Sequence, residues 1–347
     1  MNGKRWVVLS ACIVGAGLVA SVANVSYSQE TKKPDKIAYQ DGDGNWKVVA
    51  IEKIKKTDKA PPSKIVKAQD GPTFNVTYLD VNQNTNIGFD DPVDGADRRA
   101  TLEAVLFYFS TLLEETGECD LEVEVSQTDG TGPLGTGGPY YLADPGFNPG
   151  LAYRHIVFAA DPMVGIADAI LTIDFGYNYN DDTGPVGPLE FDLFSLLLHE
   201  ITHVLGHASI ISETGDSQVS PNAYTVYDGY LYTGGGVQLI NPSTFAFQAQ
   251  VSDLTSNNIE FRGIAAMANF GGAVPIYAPS PWASGSSLSH WDDGFIPEPV
   301  MSRSLPNGAE QRAHELFEIG VLLDLGYRIG ADPEPLSVRS EIWNGYE

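Results

Sequence analysis

The sequence predicts an α+β protein with a small, mostly parallel sheet, two main helices and an irregular second half. Three observations support this. Between residues 73 and 205, apolar runs follow the order strand, helix, three strands, helix. From Gly206 to about residue 314 the regular patterning fades into turn-rich chain. Finally, 36 Gly and 22 Pro among 347 residues predict a loop-rich globular protein, while 43% apolar residues are enough for a real core. The net charge of −25, from 45 acidic against 20 basic residues, argues against a nucleic-acid partner. It favours solubility and neutral or basic partners.

At the amino end, Lys4 and Arg5 precede an uncharged, small-residue-rich apolar run from Trp6. With small residues at Ser21 and Ala23, residues 1–23 read as a secretory signal peptide cleaved after Ala23, which predicts a secreted or periplasmic protein. An uncleaved anchor, or lipoprotein processing at Leu9-Ser10-Ala11-Cys12, are the alternatives. With the signal removed no stable membrane span is expected, and Cys119 is the one cysteine left, so no internal disulfide forms. Glu118 and Asp120 flank Cys119 and disfavour its thiolate, which argues against a nucleophile.

Residues 30–70 hold ten Lys and seven acidic residues, and beyond Lys67 there is no lysine at all. This shift puts a boundary near residue 71. Residues 24–70 read as a linker or as a propeptide whose charge complements an acidic body. In the body, Phe74, Val76 and Tyr78 suggest a strand. Leu102, Val105, Leu106, Phe109 and Leu112 recur at helical spacing within 97–115, and Leu121, Val123 and Val125 alternate with Glu122 and Glu124. Residues 131–150 read as loop, and 155–160 and 169–175 as two further strands. Phe191 to Leu205 is apolar nearly all round and reads as a buried helix with Asp192 as N-cap and Gly206 as its stop. Residues 314–325 predict a last amphipathic helix, and 331–347 a tail.

The sharpest signal is His199-Glu200-Ile201-Thr202-His203 inside the buried helix. Residues four apart differ by about 40° in azimuth and about 6 Å in rise, so both imidazoles share one face and can hold one ion. Zinc suits nitrogen ligands. Glu200 projects beside the ion, placed to act as general base. Two histidines and a glutamate buried without partners in so apolar a helix would be costly, and a metal resolves that cost.

A catalytic zinc commonly has three protein ligands. His207 would lie roughly 12 Å along the axis from His199, and Gly206 breaks the helix before it. The compact continuation places a histidine where this chain has Ser209. Glu213 follows too closely, and His155 and His314 read better as structural. That leaves His290, in the Gly/Ser-rich stretch Gly285-Ser286-Ser287-Leu288-Ser289-His290-Trp291, followed by Met301 in Pro299-Val300-Met301-Ser302.

In these residues the sequence resembles the metzincin metallopeptidases, and within them the leishmanolysin type, in which a long insertion precedes the third zinc histidine and a methionine-bearing turn follows it. His199, Glu200, His203 and Gly206 match the first part of that pattern, and His290 and Met301 the second. The resemblance implies a metallopeptidase domain over 71–330, with an upper lobe 71–206, a lower lobe 207–330, a substrate cleft between them, and Met301 as an apolar floor beneath the metal. It departs from the family in the insertion 204–289 and in lacking a partner for Cys119. No cysteine switch is available, so latency through the amino-terminal arm would use a carboxylate such as Asp43, or occlusion. Trp291 either packs over the site or fills the lower lobe.

The expected function is a secreted zinc endopeptidase acting on protein or peptide substrates. The alternative is a secreted or surface-displayed binding protein with structural zinc. A second cation, calcium, is an option where Asp80, Asn82, Asn84, Asp90, Asp91, Asp94 and Asp97 crowd together, and more weakly at Asp41-Gly42-Asp43-Gly44-Asn45. Asx turns leading into a helix N-terminus would account for the same pattern.

Overall fold

The computed structural model describes residues 36–53, 63–80, 85–125 and 130–330. The signal-peptide and tail expectations fall outside them. No helix among the described residues is long and apolar enough to cross a membrane.

In chain order the first strands are β1 (Lys36–Gln40), β2 (Trp46–Ala50), β3 (Lys64–Lys67) and β4 (Thr73–Tyr78). Helix α1 (Gly95–Leu112) and strand β5 (Glu118–Val125) follow, then β6 (Gly135–Pro139), β7 (Tyr141–Leu142) and β8 (Gly146–Asn148). Next come α2 (Gly150–Phe158), β9 (Ala169–Ile173), β10 (Tyr179–Asn180), β11 (Phe191–Asp192) and α3 (Leu193–Val204). The second half holds β12 (Ala223–Thr225), β13 (Leu231–Thr233), β14 (Ile259–Phe261), α4 (Ile264–Phe270), β15 (Val274–Ile276) and α5 (Leu316–Leu325). The class is α+β, with five helices among the described residues where the sequence predicts two main helices and a last one.

The main sheet runs β3-β4-β5-β9-β6. Its three inner strands are parallel, and an antiparallel strand closes each side. The sheet is therefore mixed, where the sequence suggested mostly parallel. Both closing strands lie in segments whose composition concealed them. β3 sits in the stretch read as propeptide or linker, and Lys67 pairs with Thr73 across the expected boundary at residue 71. β6 is Gly-Thr-Gly-Gly-Pro, which carries almost no strand propensity. Gly137 answers a packing demand, because a Cβ there would lie 2.4 Å from the Glu200 carbonyl oxygen. Only glycine lets this strand run so close to α3.

The amino-terminal hairpin is likewise built into the body. β1 lies between β2 and β7, with Ile37 opposite Leu142 and Ala38 opposite Tyr141. Ile37 and Ala38 are fully buried. Ile37 joins Tyr140, Leu151, Ile166 and Ile170 in a small core of its own, and Trp46 packs on Tyr141 at 5.9 Å. A solvated linker does not describe residues 36–50.

Helix α1 buries Leu102, Val105, Leu106, Phe109 and Leu112, as its spacing predicts. Residues 155–158 belong to α2, not to a strand. The apolar run was too short to reveal its period, and Leu151, Ala152, His155 and Ile156 are the buried, helically spaced positions. Helix α3 forms as expected, with Ser195 N–H donating to the Asp192 carboxylate at 3.2 Å and Gly206 at φ +102° beyond its end. Arg312 grips the buried Asp192 with two nitrogens, at 2.6 and 2.8 Å.

In the second half, β13-β14-β15 form an antiparallel sheet and β12 pairs with β8 from the first half. The last helix starts at Leu316, two residues after His314, because Glu315 and Glu318 form its capping box. The Asp324 carboxylate of α5 accepts from the Ala265 and Ala266 N–H groups, at 2.9 Å each, and so closes the first turn of α4.

Candidate metal centre

Helix α3 presents His199 and His203 one turn apart, and the loop before Trp291 brings up His290. The three Nε2 atoms form a nearly equilateral triangle, with edges of 3.1 Å (His203–His199), 3.3 Å (His203–His290) and 3.3 Å (His290–His199). Each Nδ1 faces a backbone carbonyl: His199 that of Val300 at 2.7 Å, His203 that of His207 at 2.5 Å, and His290 that of Ser286 at 2.8 Å. A carbonyl only accepts, so each Nδ1 carries the proton and donates. Each Nε2 then offers a bare lone pair, and three lone pairs converge. Without a positive charge between them this is repulsive.

The donor set fits zinc. Nitrogen–zinc bonds of about 2.0–2.1 Å in a tetrahedron imply nitrogen–nitrogen edges of about 3.3–3.4 Å. The carbonyls that fix the ring tautomers are the outer support a histidine-bound metal needs. Burial pushes the His199 imidazole down to about 4, opposed by its bond to Val300. It pushes His290 to about 3 and His203 well below its ordinary value. All three are neutral near pH 7, as ligation requires.

Glu200 lines the same cleft, 5% exposed. Burial raises its carboxyl to about 8, and hydrogen bonding from the Gly137 backbone pulls the other way. A divalent cation at the triad would draw it further down. The cleft has a volume of about 620 Å³. Leu134, Gly135 to Gly137 of β6, Ser284 to Ser286 and Ser302 to Leu305 line it.

Met301 is fully buried in the turn whose Val300 carbonyl orients His199. That turn is held by Glu318 of α5, which the sequence reading missed. One Glu318 oxygen accepts from Trp291 Nε1 at 3.0 Å and Met301 N at 2.8 Å. The other accepts from Val300 N at 3.3 Å and Glu315 N at 2.9 Å. Burial lifts its carboxyl to about 7, against the pull of these donors. The available signal was a lone carboxylate in Leu-Phe-Glu-Ile-Gly-Val, but nothing local showed what it faced. Glu318→Ala should strand these buried donors and cost about 2–4 kcal/mol. Urea denaturation of the variant measures it, and a loss under about 1 kcal/mol would mean that water replaces the carboxylate.

Trp291 fills the lower core. It packs on Phe317 at 5.2 Å and His207 at 4.9 Å. His207 is fully buried between Tyr227 and Trp291, outside the triad, and contributes only its carbonyl to His203. His155 pairs with Asp168 at 2.7 Å. His314 bridges Tyr108 at 3.1 Å and Thr202 at 2.8 Å, tying α1 to α3. Glu213 is exposed, and Ser209 is buried against Ser289. Cys119 is buried, and that burial, with Asp168 and Asp120 nearby, raises its thiol well above the ordinary range.

Among the described residues, groups of three potential ligands occur only at His199, His203 and His290, and at Asp120, His155 and Asp168. Asp43 lines the cleft but does not join the triad. In the Asp-rich stretch before α1, Asp90 accepts from Asn86 N, Asp91 from Val93 and Asp94 N, and Asp94 pairs with Arg98 at 3.6 Å; Asn82 and Asn84 of the calcium expectation lie outside the described residues. Asp41 likewise accepts from Asn45 N at 2.9 Å.

No protein-family model, curated protein or solved structure matches this chain. Fold and site together define an α+β protein with a three-imidazole centre and a buried carboxylate in one cleft.

Proposed function

We propose that this chain is a secreted zinc-dependent endopeptidase, similar to the metzincins of leishmanolysin type. The observation that carries the reading is the set of three Nδ1-anchored histidines whose Nε2 atoms stand 3.1–3.3 Å apart, with Glu200 in the same cleft. His199, His203 and His290 would hold the ion. Among the described residues no fourth His, Cys, Asp or Glu joins them, which suits a centre that works on water rather than a closed structural one. The apolar run from Trp6 to Ala23 supports export.

Strand β6 closes one side of the main sheet and lines the cleft, so its outer side suits an extended peptide added as a further strand. Zinc, when bound, supplies a Lewis acid that makes water acidic and polarises a carbonyl. Glu200 takes the proton from the attacking water and returns it to the leaving amine. Its burial keeps it away from bulk solvent during the transfer. The triad histidines stay neutral throughout, their protons fixed on Nδ1 by three carbonyls.

Chelation and reloading test this. Treating the purified protein with a zinc chelator should abolish cleavage of a denatured protein substrate, and one equivalent of zinc should restore it. The metal-free form should also melt lower, since occupancy at a thousandfold excess over Kd is worth about 4 kcal/mol. Full cleavage by protein verified as metal-free would end the proposal.

A further inference from the structure

The hairpin β1–β2 was read in the sequence as part of a removable or flexible arm. In the structure it is a wall of the cleft. Gln40, Asp43, Gly44 and Asn45 line the same space as the triad and Glu200. The wall is anchored at its base by fully buried Ile37 and Ala38, with β1 central in its own sheet. At its tip, the Thr136 hydroxyl of β6 donates to the Asp41 carbonyl at 3.3 Å. The turn itself is tied down. The Asp41 carboxylate accepts from the Asp43 and Asn45 N–H groups, and Gly44 takes φ +75°.

Charge within this turn is distributed unequally. Lys47 makes its ion pair with Asp41 at 2.9 Å and reaches Asp43 only through the weaker field across the turn. Asp43 forms no hydrogen bond or ion pair through its carboxylate with any described residue, and it is exposed. The charged residues lining the cleft are Asp43, Glu200 and Arg303. Arg303 is held by two bonds to Asp293, at 2.8 and 3.1 Å. Glu200 is buried beside the triad. Among the described residues lining the cleft, Asp43 is therefore the exposed charge that makes no hydrogen bond or ion pair of its own, and Lys47 offsets it only in part.

We infer that the hairpin is a permanent part of the substrate cleft and that Asp43 forms an acidic subsite selecting a lysine or arginine side chain in the bound peptide. This rests on the proposed peptidase reading, whose substrate class it narrows. The hairpin leaves the cleft open, at about 620 Å³, and supplies no ligand to the triad, so it acts as a wall and not a plug. An exposed carboxylate at the mouth of a cleft is worth a modest preference, roughly three- to fivefold per basic side chain, and salt weakens it.

The test separates binding from cleavage. In a Glu200→Gln background, fluorescence anisotropy would compare labelled peptides that differ only by Lys, Gln or Glu at each position in turn. Lys peptides should bind roughly three- to fivefold tighter than Gln peptides at one position, and the difference should shrink toward unity in about 1 M salt. Asp43→Asn should erase the preference, and Asp43→Lys should transfer it to Glu peptides. With Glu200 intact, the same bias should appear in KM more than in kcat. Equal binding of Lys and Gln peptides, no peptide binding at all, or a preference surviving in Asp43→Asn would overturn the subsite. Selective binding with no cleavage by the zinc-loaded protein would keep the subsite and sink the peptidase reading.

Discussion

Glu200→Gln should remove peptide-bond cleavage while leaving about one zinc per chain. The substitution keeps the side chain's shape and one carbonyl acceptor but cannot take up a proton. A positioned general base contributes typically 10²–10⁴-fold, and in the proposed mechanism the same group also serves as the acid, so a loss of about 10³-fold or more is expected. Metal content should be unchanged, because the proposed ligands are His199, His203 and His290, each oriented by its own carbonyl. Zinc analysis alongside a peptidase assay makes the comparison. A Glu200→Gln protein within tenfold of the parent would remove this residue from the chemistry. In the metal-free form the variant should also be slightly more stable at neutral pH, since the buried carboxyl with its raised value of about 8 is replaced by a neutral amide.

The second large effect is a contrast between two histidines. His290→Ala should lose zinc, weakening it by well over the 10–100-fold seen when a mere supporting partner of a metal ligand is removed. His207→Ala should keep zinc but lose stability. Its ring is packed between Tyr227 at 4.7 Å and Trp291 at 4.9 Å, so truncation opens a cavity costing about 2–4 kcal/mol. Zinc affinity by competition with a chromogenic chelator, together with thermal denaturation, distinguishes the two. A His207→Ala protein that loses metal while His290→Ala retains it would reverse the ligand assignment.

The legible parts of this molecule are those whose signals are local. The buried helix with Asp192 as cap and Gly206 as stop follows from fifteen consecutive residues, and so does the shared face of His199 and His203. α1, β4, β5 and β9 announce themselves by periodicity. What escaped the sequence depends on distant partners. β6 is a strand because Gly137 must pass the Glu200 backbone, a constraint written only in three dimensions. Helix α2 hides because nine residues give too few turns to show a period, and its His155 looks like a strand residue until Asp168 is seen beside it. β1 and β3 sit among lysines, whose ammonium groups reach water while the buried Ile37 and Val66 do the packing. Glu318 acts on a turn seventeen residues earlier in the chain, through Met301 N, and no spacing rule announces that contact.

Backbone bonds clip the loop that carries His290 in place, beside the Ser287 and Ser289 hydroxyls that accept from Ala283 and Ser209 N–H. Tyr277 N–H donates to the His290 carbonyl at 2.9 Å, Leu288 N–H to the Tyr277 carbonyl at 2.9 Å, and Trp291 N–H to the Met301 carbonyl at 3.1 Å. None of these bonds involves an imidazole nitrogen. The scaffold is thus preassembled, and an arriving ion meets a finished socket rather than folding one around itself. A cation held by His199, His203 and His290 would then be taken up with little rearrangement of the chain around it.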